Sequence, residues 1–215
     1  VIVFKHEGTL DRFVGDAVAV LFSAPVPQED HRQRALDCAL EMDAFATAYA
    51  RRQQAVGVNW GQTRIGVHCG EVLVGNFGGK TLFDYRALGD PINTAARLES
   101  VNKHLGTRVC VSQAVLDGCV GVALREVGRL LLKGKSQPLQ VFTPIAALDV
   151  DACAPSADYD AAMFKLRPGS TQDLQGARVL FEQLALQYPK DPLVTLHVQR
   201  LQQDAADDLI VMAYK

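Results

Sequence analysis

The stretch that decides the fold is FDYRALGDPINTAARLES, residues 83–100, which has the pattern of a strand, a tight turn and the start of a helix. Asp90 is suited to cap that helix, and Pro91 fits its first position because the amide hydrogen that proline lacks would have no partner there. Asn93 and Arg97 are four residues apart, so they project from one helical face. Such a pair is more often solvated than functional when taken alone, although the arginine fork suits a phosphate group.

The chain as a whole has the composition of a globular protein with one full domain and an appendage. It has 215 residues, of which 48% are hydrophobic and 21% are charged. Its net charge of -2 gives no general attraction to nucleic acid or to an anionic membrane, so we expect any anion site to be local. No apolar run reaches the length of a membrane helix, and five cysteines without CxxC spacing argue against a disulfide framework or a zinc site. We therefore expect a cytoplasmic segment without direct membrane contact, and a membrane tether elsewhere in the parent protein stays open.

Strand and helix patterns alternate before the opening stretch. The runs GTLDRF and AVAVLF are rich in β-forming residues and flank Gly15 and Asp16, which predicts a hairpin. Apolar residues at helical spacing then predict a long amphipathic helix over residues 30 to about 50. The runs TRIGVHCG and EVLVGNFG predict a second hairpin, broken at Gly70.

The second half of the chain continues the mixed pattern and then becomes helical. TRVCVS predicts a buried strand, Ser112 is placed to cap a short helix, and ALREVGRLLLK with LQVFTPI predicts a final hairpin. DVDACAPSAD indicates a linker, and three short helical segments follow it. Hairpins mixed with helices predict an α+β fold with a mainly antiparallel sheet. We predict a domain at residues 1–146, a linker at 147–157 and a helical tail at 158–215 that packs on the domain.

Four further side chains are candidates for chemistry. Asp16 sits at the tip of the first hairpin, where Gly-Asp usually serves the turn, but a free carboxylate there suits a hard cation such as Mg²⁺. Lys133 and Lys135 flank Gly134 in the last hairpin, which is either a solvated basic turn or a pair of cations for a polyphosphate. Arg64 is at the start of a predicted strand, and it is likewise either a solvated cation or a cation that binds a polyphosphate.

Four motifs in one order resemble the catalytic domain of the class III adenylyl and guanylyl cyclases, and the bacterial members above all. They are GTLDRFVGDAVAVLFSAP, RIGVHCGEVLVGNFGG, DYRALGDPINTAARLES and LLLKGKSQPLQVF, and the resemblance covers about residues 1–145. It implies a ferredoxin-like α+β core that acts in intracellular signalling as a head-to-tail homodimer with two shared sites. In each site the ribose 3′-hydroxyl of ATP attacks the α-phosphate and pyrophosphate leaves. Two Mg²⁺ (or Mn²⁺) ions would hold the triphosphate, and a regulatory or sensor domain would lie upstream.

The resemblance also assigns roles to single residues. Asp16 matches one of two metal-binding aspartates, Asn93 matches the residue that orients the ribose, and Arg97 matches the arginine that stabilises charge on the α-phosphate. Arg64 and Lys133 match positions that contact the β- and γ-phosphates. The shared face of Asn93 and Arg97 is then explained, because one substrate presents a ribose and a phosphate side by side.

Three departures from the family pattern leave alternatives open. The second metal aspartate belongs to a strand upstream of Val1, where the chain has no initiator methionine, so we expect these residues to begin inside a longer protein and to be inactive alone. Arg12 replaces the purine-selecting lysine, and Arg86 replaces its partner, so an acceptor for the adenine amino group becomes a donor. ATP remains the expected substrate, with GTP as an alternative. The competing hypothesis is a weak or silent cyclase-homology module for dimerisation and nucleotide binding. A diguanylate cyclase is disfavoured because its acidic signature turn is absent.

Overall fold

The computed structural model of the chain describes residues 1–79, 83–169 and 171–212, which form both strands and helices. The strands are β1 (Thr9–Val14), β2 (Ala17–Leu21), β3 (Ile65–Val67), β4 (Leu73–Gly78), β5 (Phe83–Leu88), β6 (Val109–Ser112), β7 (Leu124–Leu131), β8 (Leu139–Pro144) and β9 (Leu209–Val211). The helices are α1 (Ile2–Lys5), α2 (His31–Ala55), α3 (Asp90–Leu105), α4 (Gln113–Leu116), α5 (Ser156–Leu166), α6 (Leu174–Gln187) and α7 (Pro192–Gln202).

A mixed sheet and two separate hairpins confirm the predicted α+β class. The main sheet has the strand order β3-β6-β8-β7-β9, and the pairs β1–β2 and β4–β5 form the hairpins. The pairings β1–β2, β4–β5, β6–β8 and β7–β8 are antiparallel, while β3–β6 and β7–β9 are parallel. The first hairpin turns at Gly15 and Asp16 and the last one turns around Gly134, as the sequence predicts.

The predicted second hairpin is wrong, because the two runs that it joined pair with other strands. β3 runs parallel to β6, and β4 pairs antiparallel with β5, Leu73 lying opposite Leu88. Gly70 does not turn the chain into a hairpin. It lies against α3, so close that an added Cβ would be 2.6 Å from Cγ of Pro91. The glycine therefore serves close packing of the helix.

Helix α3, which carries the candidate pair, is fixed directly on β3. Gly66 permits this contact, because a side chain there would overlap the backbone of Ala95 and Glu99. Near the other end of the helix, the fully buried amide of Asn102 donates to the carbonyl of Ile65 over 3.0 Å. The N-cap is Gly89 and not Asp90, which is the first helical residue and makes no side-chain cap bond.

The C-terminal helices share one hydrophobic core with the sheet. Tyr159 of α5, Phe181 of α6 and Leu193 of α7 are fully buried in a cluster that also holds Leu98 of α3 and Leu130 of β7. The helical segments thus pack on the sheet as expected. The division at residues 147–157 stays a prediction, because this core continues across it.

A buried ion pair and a short strand tie the tail further to the sheet. Arg125 of β7 pairs with Asp191, the N-cap of α7, over 2.7 Å, and it also donates to the carbonyl of Ala154 in the predicted linker. β9 lies parallel to β7 at the edge of the main sheet. The sequence analysis missed β9, since three apolar residues after two aspartates give no clear strand signal. None of the described helices combines the length and the apolar character needed to cross a bilayer.

Candidate functional site

The face of α3 that carries Arg97 lies against the turn between β7 and β8. A Cβ added to Gly134 would lie 3.7 Å from Nη2 and 4.0 Å from Nη1 of Arg97, so the guanidinium rests on the glycine backbone. Nη1 is buried, and no described atom accepts a hydrogen bond from it. A buried donor without an acceptor costs free energy. The site therefore holds a guanidinium whose bonding capacity is not used within the described part of the protein.

The two lysines of the same turn differ in their surroundings. Lys135 forms an ion pair with Asp90 at the start of α3, and this hydrogen bond lowers the pKa of the Asp90 carboxyl. Lys133 is exposed, and none of the described carboxylates lies within ion-pair distance of its amine. Lys135 therefore fastens the turn to α3, whereas Lys133 and Arg97 remain available to an anion.

Asn93 lies one helical turn before Arg97 and is exposed. No hydrogen bond joins its amide to another described side chain or carbonyl. Its neighbour Thr94 is buried and donates to the carbonyl of Asp90 over 3.0 Å, which stabilises the first turn of α3. The structure thus brings Asn93, Arg97 and the turn that carries Lys133 to one side of the molecule.

His68 directly follows β3 in the chain and lies near Lys135 and Asp90. Its Nδ1 is 2.8 Å from the hydroxyl of Ser112. Ser112 is the N-cap residue of α4, as predicted, but its side chain makes no cap hydrogen bond. Burial lowers the pKa of His68, and the nearby charge of Lys135 lowers it further. The imidazole is therefore uncharged at neutral pH and adds no cation to the site.

Arg64 is not brought into the cluster as a free cation. Its Nε lies 3.2 Å from the carboxylate of Glu99 on α3, and both side chains are about one third exposed. In this state Arg64 holds the middle of α3 to the start of β3. A phosphate contact by Arg64 would require exchange of this partly solvated ion pair.

The two arginines that the sequence analysis expects to read the base each form an ion pair with an acid of their own strand. Arg12 pairs with Asp11 over 2.8 Å and reaches the carbonyl of Ala87, while Arg86 pairs with Asp84 over 2.6 Å. The carboxylate of Asp11 is almost fully buried and also accepts the amide hydrogen of Ala87, which docks β1 on β5. The sequence analysis missed both acids, whose adjacency to the arginines was the available signal.

Asp16 occupies the turn between β1 and β2, where Gly15 adopts a positive φ of 63°. Asp16 is exposed, and no described group donates a hydrogen bond to it. A free carboxylate fits one ligand of a hard divalent cation. One carboxylate does not complete a metal site, and the described ranges contain no group of three His, Cys, Asp or Glu residues that could hold a metal ion.

Comparisons with known proteins match the same part of the chain. The family described as the adenylate and guanylate cyclase catalytic domain matches residues 9–143. Adenylate cyclase 1 of Rhizobium meliloti (strain 1021) is 36% identical over 148 residues, which are 68% of this chain and 22% of that protein. The chain therefore spans about a fifth of that relative.

Two solved structures share the fold. The adenylyl cyclase CyaB from P. aeruginosa has a TM-score of 0.58 and 29% identity, covering 66% of this chain and 74% of the other. The guanylyl cyclase Cya2 has a TM-score of 0.55 and 28% identity, covering 69% of this chain and 75% of the other. One of these structures is named an adenylyl cyclase and the other a guanylyl cyclase, so likeness alone does not choose the base. The C-terminal helices and β9 lie outside the family match.

Proposed function

Because the chain belongs to the class III adenylyl and guanylyl cyclases, whose catalytic domain matches residues 9–143, we propose that its parent protein converts ATP to 3′,5′-cyclic AMP and pyrophosphate. The observation that carries the proposal is the unpartnered, buried Nη1 of Arg97 beside Gly134. A nucleoside triphosphate supplies the acceptor oxygens that this donor lacks. The exposed Lys133 on the same turn adds a second cation for the triphosphate.

The reaction is an internal displacement at the α-phosphorus. The ribose 3′-oxygen forms a bond to phosphorus and loses its proton, while the bond from phosphorus to the bridging oxygen breaks and pyrophosphate leaves with that electron pair. Asn93 orients the ribose, and Arg97 stabilises the charge that builds on the α-phosphate. Lys133, and Arg64 after release from Glu99, hold the β- and γ-phosphates.

Class III cyclases generally use divalent metal ions, and we propose Asp16 as one ligand of the two Mg²⁺ (or Mn²⁺) ions. When bound, such ions lower the pKa of the attacking hydroxyl and screen the triphosphate. Asp16 contributes an exposed carboxylate at a fixed turn. The second aspartate would come from the upstream strand expected from the family pattern.

We propose further that the active unit is a homodimer with shared sites. Exposed apolar side chains extend over both hairpins: Phe13, Val14 and Val18 on one, and Leu73 and Leu88 on the other. Phe13 lies opposite Val18 and Leu73 lies opposite Leu88, and exposed apolar groups of this kind suit a surface that a partner covers. Asp16 belongs to a hairpin that packs on β5 and α1, whereas Asn93 and Arg97 belong to α3, so each site can take its metal ligand from one chain and its helix from the other. We place the dimer in the cytoplasm under an upstream regulatory domain.

GTP is the second candidate substrate, and the base-reading arginines favour it. Guanine presents O6 and N7 as acceptors to an arginine, whereas adenine presents N7 and a donor amino group. Arg12 pairs with Asp11 and Arg86 pairs with Asp84. These carboxylates reduce the repulsion between the two guanidinium groups when a base, adenine or guanine, lies between them.

The test is a turnover assay of the full-length protein with ATP and with GTP, in which cyclic nucleotide and pyrophosphate are both measured. Mixing Asp16→Ala chains with Arg97→Ala chains should restore about a quarter of wild-type activity or less, since one of the two sites in a heterodimer is intact. Mixing Asn93→Ala with Arg97→Ala is the matched control. It should restore nothing, because both residues come from the same chain at each site.

Absence of both cyclic products from the full-length protein would leave the silent module as the function. Restored activity in the Asn93→Ala and Arg97→Ala mixture would contradict the assignment of these residues to one chain. Failure of the first mixture, with heterodimers demonstrated, would contradict shared sites.

A further inference from the structure

The last strand of the chain lies against the strand that leads into the Lys133 turn. β9 pairs parallel to β7 with Arg129 opposite Leu209 and Leu131 opposite Val211. Beyond this register, the amide of Met212 donates to the carbonyl of Leu131 over 3.0 Å. Within the described residues, the pairing therefore reaches Leu131, two residues before Lys133. Without β9, this end of β7 would be an edge strand with unpaired backbone groups.

Two ion pairs fix this register. Nε of Arg129 lies 2.8 Å from Asp208 and Nη2 lies 2.7 Å from Asp207. The Asp208 side chain is 2% exposed, so this bond is shielded from solvent, and it raises the pKa of Arg129. Bonds of this charge-assisted kind fix orientation as well as distance.

β7 contains a position, Gly128, at which the C-terminal segment (residues 207–212) docks closely. Gly128 has a positive φ of 125° at an irregularity in the β7–β8 pairing. A Cβ added there would lie 2.6 Å from the carbonyl oxygen of Asp208. Glycine is therefore required for the segment to approach so closely. The part of the chain matched by the cyclase family thus carries a docking position for residues outside that match.

Helix α7 holds the same segment from the other side. Nη2 of Arg200 donates to the carbonyls of Asp207 and Leu209 over 2.8 and 2.6 Å. The guanidinium is mostly buried, which lowers the pKa of Arg200. Because α7 belongs to the main core, the segment cannot leave β7 without breaking contacts on both sides.

The contacts continue from β7 into the candidate site. The amide of Lys135 donates to the carbonyl of Leu132 over 2.9 Å and closes the turn, and Gly134 lies under Arg97. Lys135 is joined to Asp90 on α3. An unbroken series of backbone and side-chain contacts therefore runs from β9 through the turn to α3.

We infer that the C-terminal segment is a positioning element of the cyclase site, which holds the Lys133 turn in register by completing the sheet beside β7. The inference rests on the proposed function for its effect on catalysis, and on the β7–β9 pairing for its effect on the turn. Its prediction is that loosening the segment weakens triphosphate binding through Lys133, to which the described residues of the segment make no side-chain hydrogen bond or ion pair.

The test uses the full-length protein with Asp208→Asn, which keeps the side-chain shape and removes the charge. KM for the nucleoside triphosphate should rise by about 2- to 30-fold, the range found for coupling through packed elements, with kcat changed less. Asp204→Asn is the matched control: this neighbouring aspartate is almost fully exposed, and its contact with Arg178 is long, 3.9 Å. It should leave KM unchanged.

A double-mutant cycle separates positioning from general destabilisation. If the segment acts through Lys133, Asp208→Asn should raise KM little further in a Lys133→Ala background. The inference is overturned if KM of the double variant rises by the product of the two single-variant effects. It is also overturned if KM of Asp208→Asn is unchanged.

Amide hydrogen exchange provides a readout that needs no turnover. In Asp208→Asn the amides of residues 132–135 should exchange faster by about tenfold than in Asp204→Asn, while those in the core of α3 keep their protection. Gly128→Ala should act in the same way from the other side of the contact. Unchanged exchange at the turn in both variants would overturn the inference even for a protein that makes no cyclic nucleotide, and faster exchange in such a protein would uphold it while the proposed function fails.

Discussion

Replacing Arg97 by alanine should lower kcat of the full-length protein by about 10²–10³, with little change in KM for ATP. The size follows from the buried Nη1, for which the described residues offer no acceptor. A donor that is already held in place gives up no protein hydrogen bond when it turns to the charge on the α-phosphate. It can therefore contribute the ~2.7–4 kcal/mol that one preorganised donor supplies in a transition state.

Stability distinguishes this role from a structural one. Arg97→Ala removes an unpaired buried donor that costs about 1–3 kcal/mol, and this gain offsets the lost contacts of the side-chain stem. We expect a melting temperature close to that of the wild type. Arg108→Ala is the opposite control, because Arg108 makes two hydrogen bonds to the buried carboxylate of Asp43. It should lower the melting temperature while the folded enzyme keeps its kcat.

The assay measures initial rates of cyclic nucleotide release over a range of substrate concentrations, together with thermal unfolding of each variant. Arg97→Lys should recover only part of kcat, since lysine keeps the charge and loses the planar fork. Near-normal turnover of Arg97→Ala would remove this residue from the mechanism. A large fall in its melting temperature would show that the loss of rate arises from misfolding.

Two other predictions concern the base and the tail core. Arg86→Thr should raise the ratio of ATP to GTP turnover efficiency by about fivefold, the equivalent of one hydrogen bond of ~1 kcal/mol, and an unchanged ratio would place Arg86 outside the base site. His197 is fully buried between Phe181 and Tyr159, and burial with the charge of Arg200 lowers its pKa from 6.5 to about 3. The unfolded chain then binds the proton more tightly, so stability is lost as the pH falls below about 6.5, by about 2 kcal/mol at pH 5. His197→Phe should remove that part of the acid sensitivity in denaturant titrations at pH 5 and pH 8, and an equal slope in both proteins would contradict the low pKa.

The order of strands and helices along the chain could be predicted from the sequence, because short-range patterns determine it. Residues 83–100 do form a strand, a glycine turn and a helix, and Asn93 and Arg97 do share a face of that helix. Strand pairing was less accessible. β3 and β4 follow each other along the chain, yet each takes another partner, and Gly66 and Gly70 serve the close approach of α3. A glycine in a strand-like run indicates a turn and a close approach equally well.

The candidate site was accessible residue by residue but not in its pairings. The motif pattern identified Arg12 and Arg86, whereas their neutralisation by Asp11 and Asp84 depends on side-chain directions that a pattern does not contain. The phosphate contact of Arg64 stays a prediction, and its ion pair with Glu99, 35 residues away in the chain, could not be read from the pattern. The role of β9 was hidden for the same reason, since its docking depends on the backbone geometry of Gly128.

The core that continues from the sheet into the tail restricts how evolution or an engineer can transplant this catalytic domain. Exchange between proteins at residue 143, where the family match ends, would leave Arg125 buried without Asp191, and an unpaired buried charge of this kind costs about 3–5 kcal/mol. It would also uncover the side of Leu98 and Leu130 that Tyr159 and Phe181 now fill. A recombination point after residue 212 keeps the ion pair and the core intact. The segment that can be exchanged as a unit is therefore longer than the catalytic motifs.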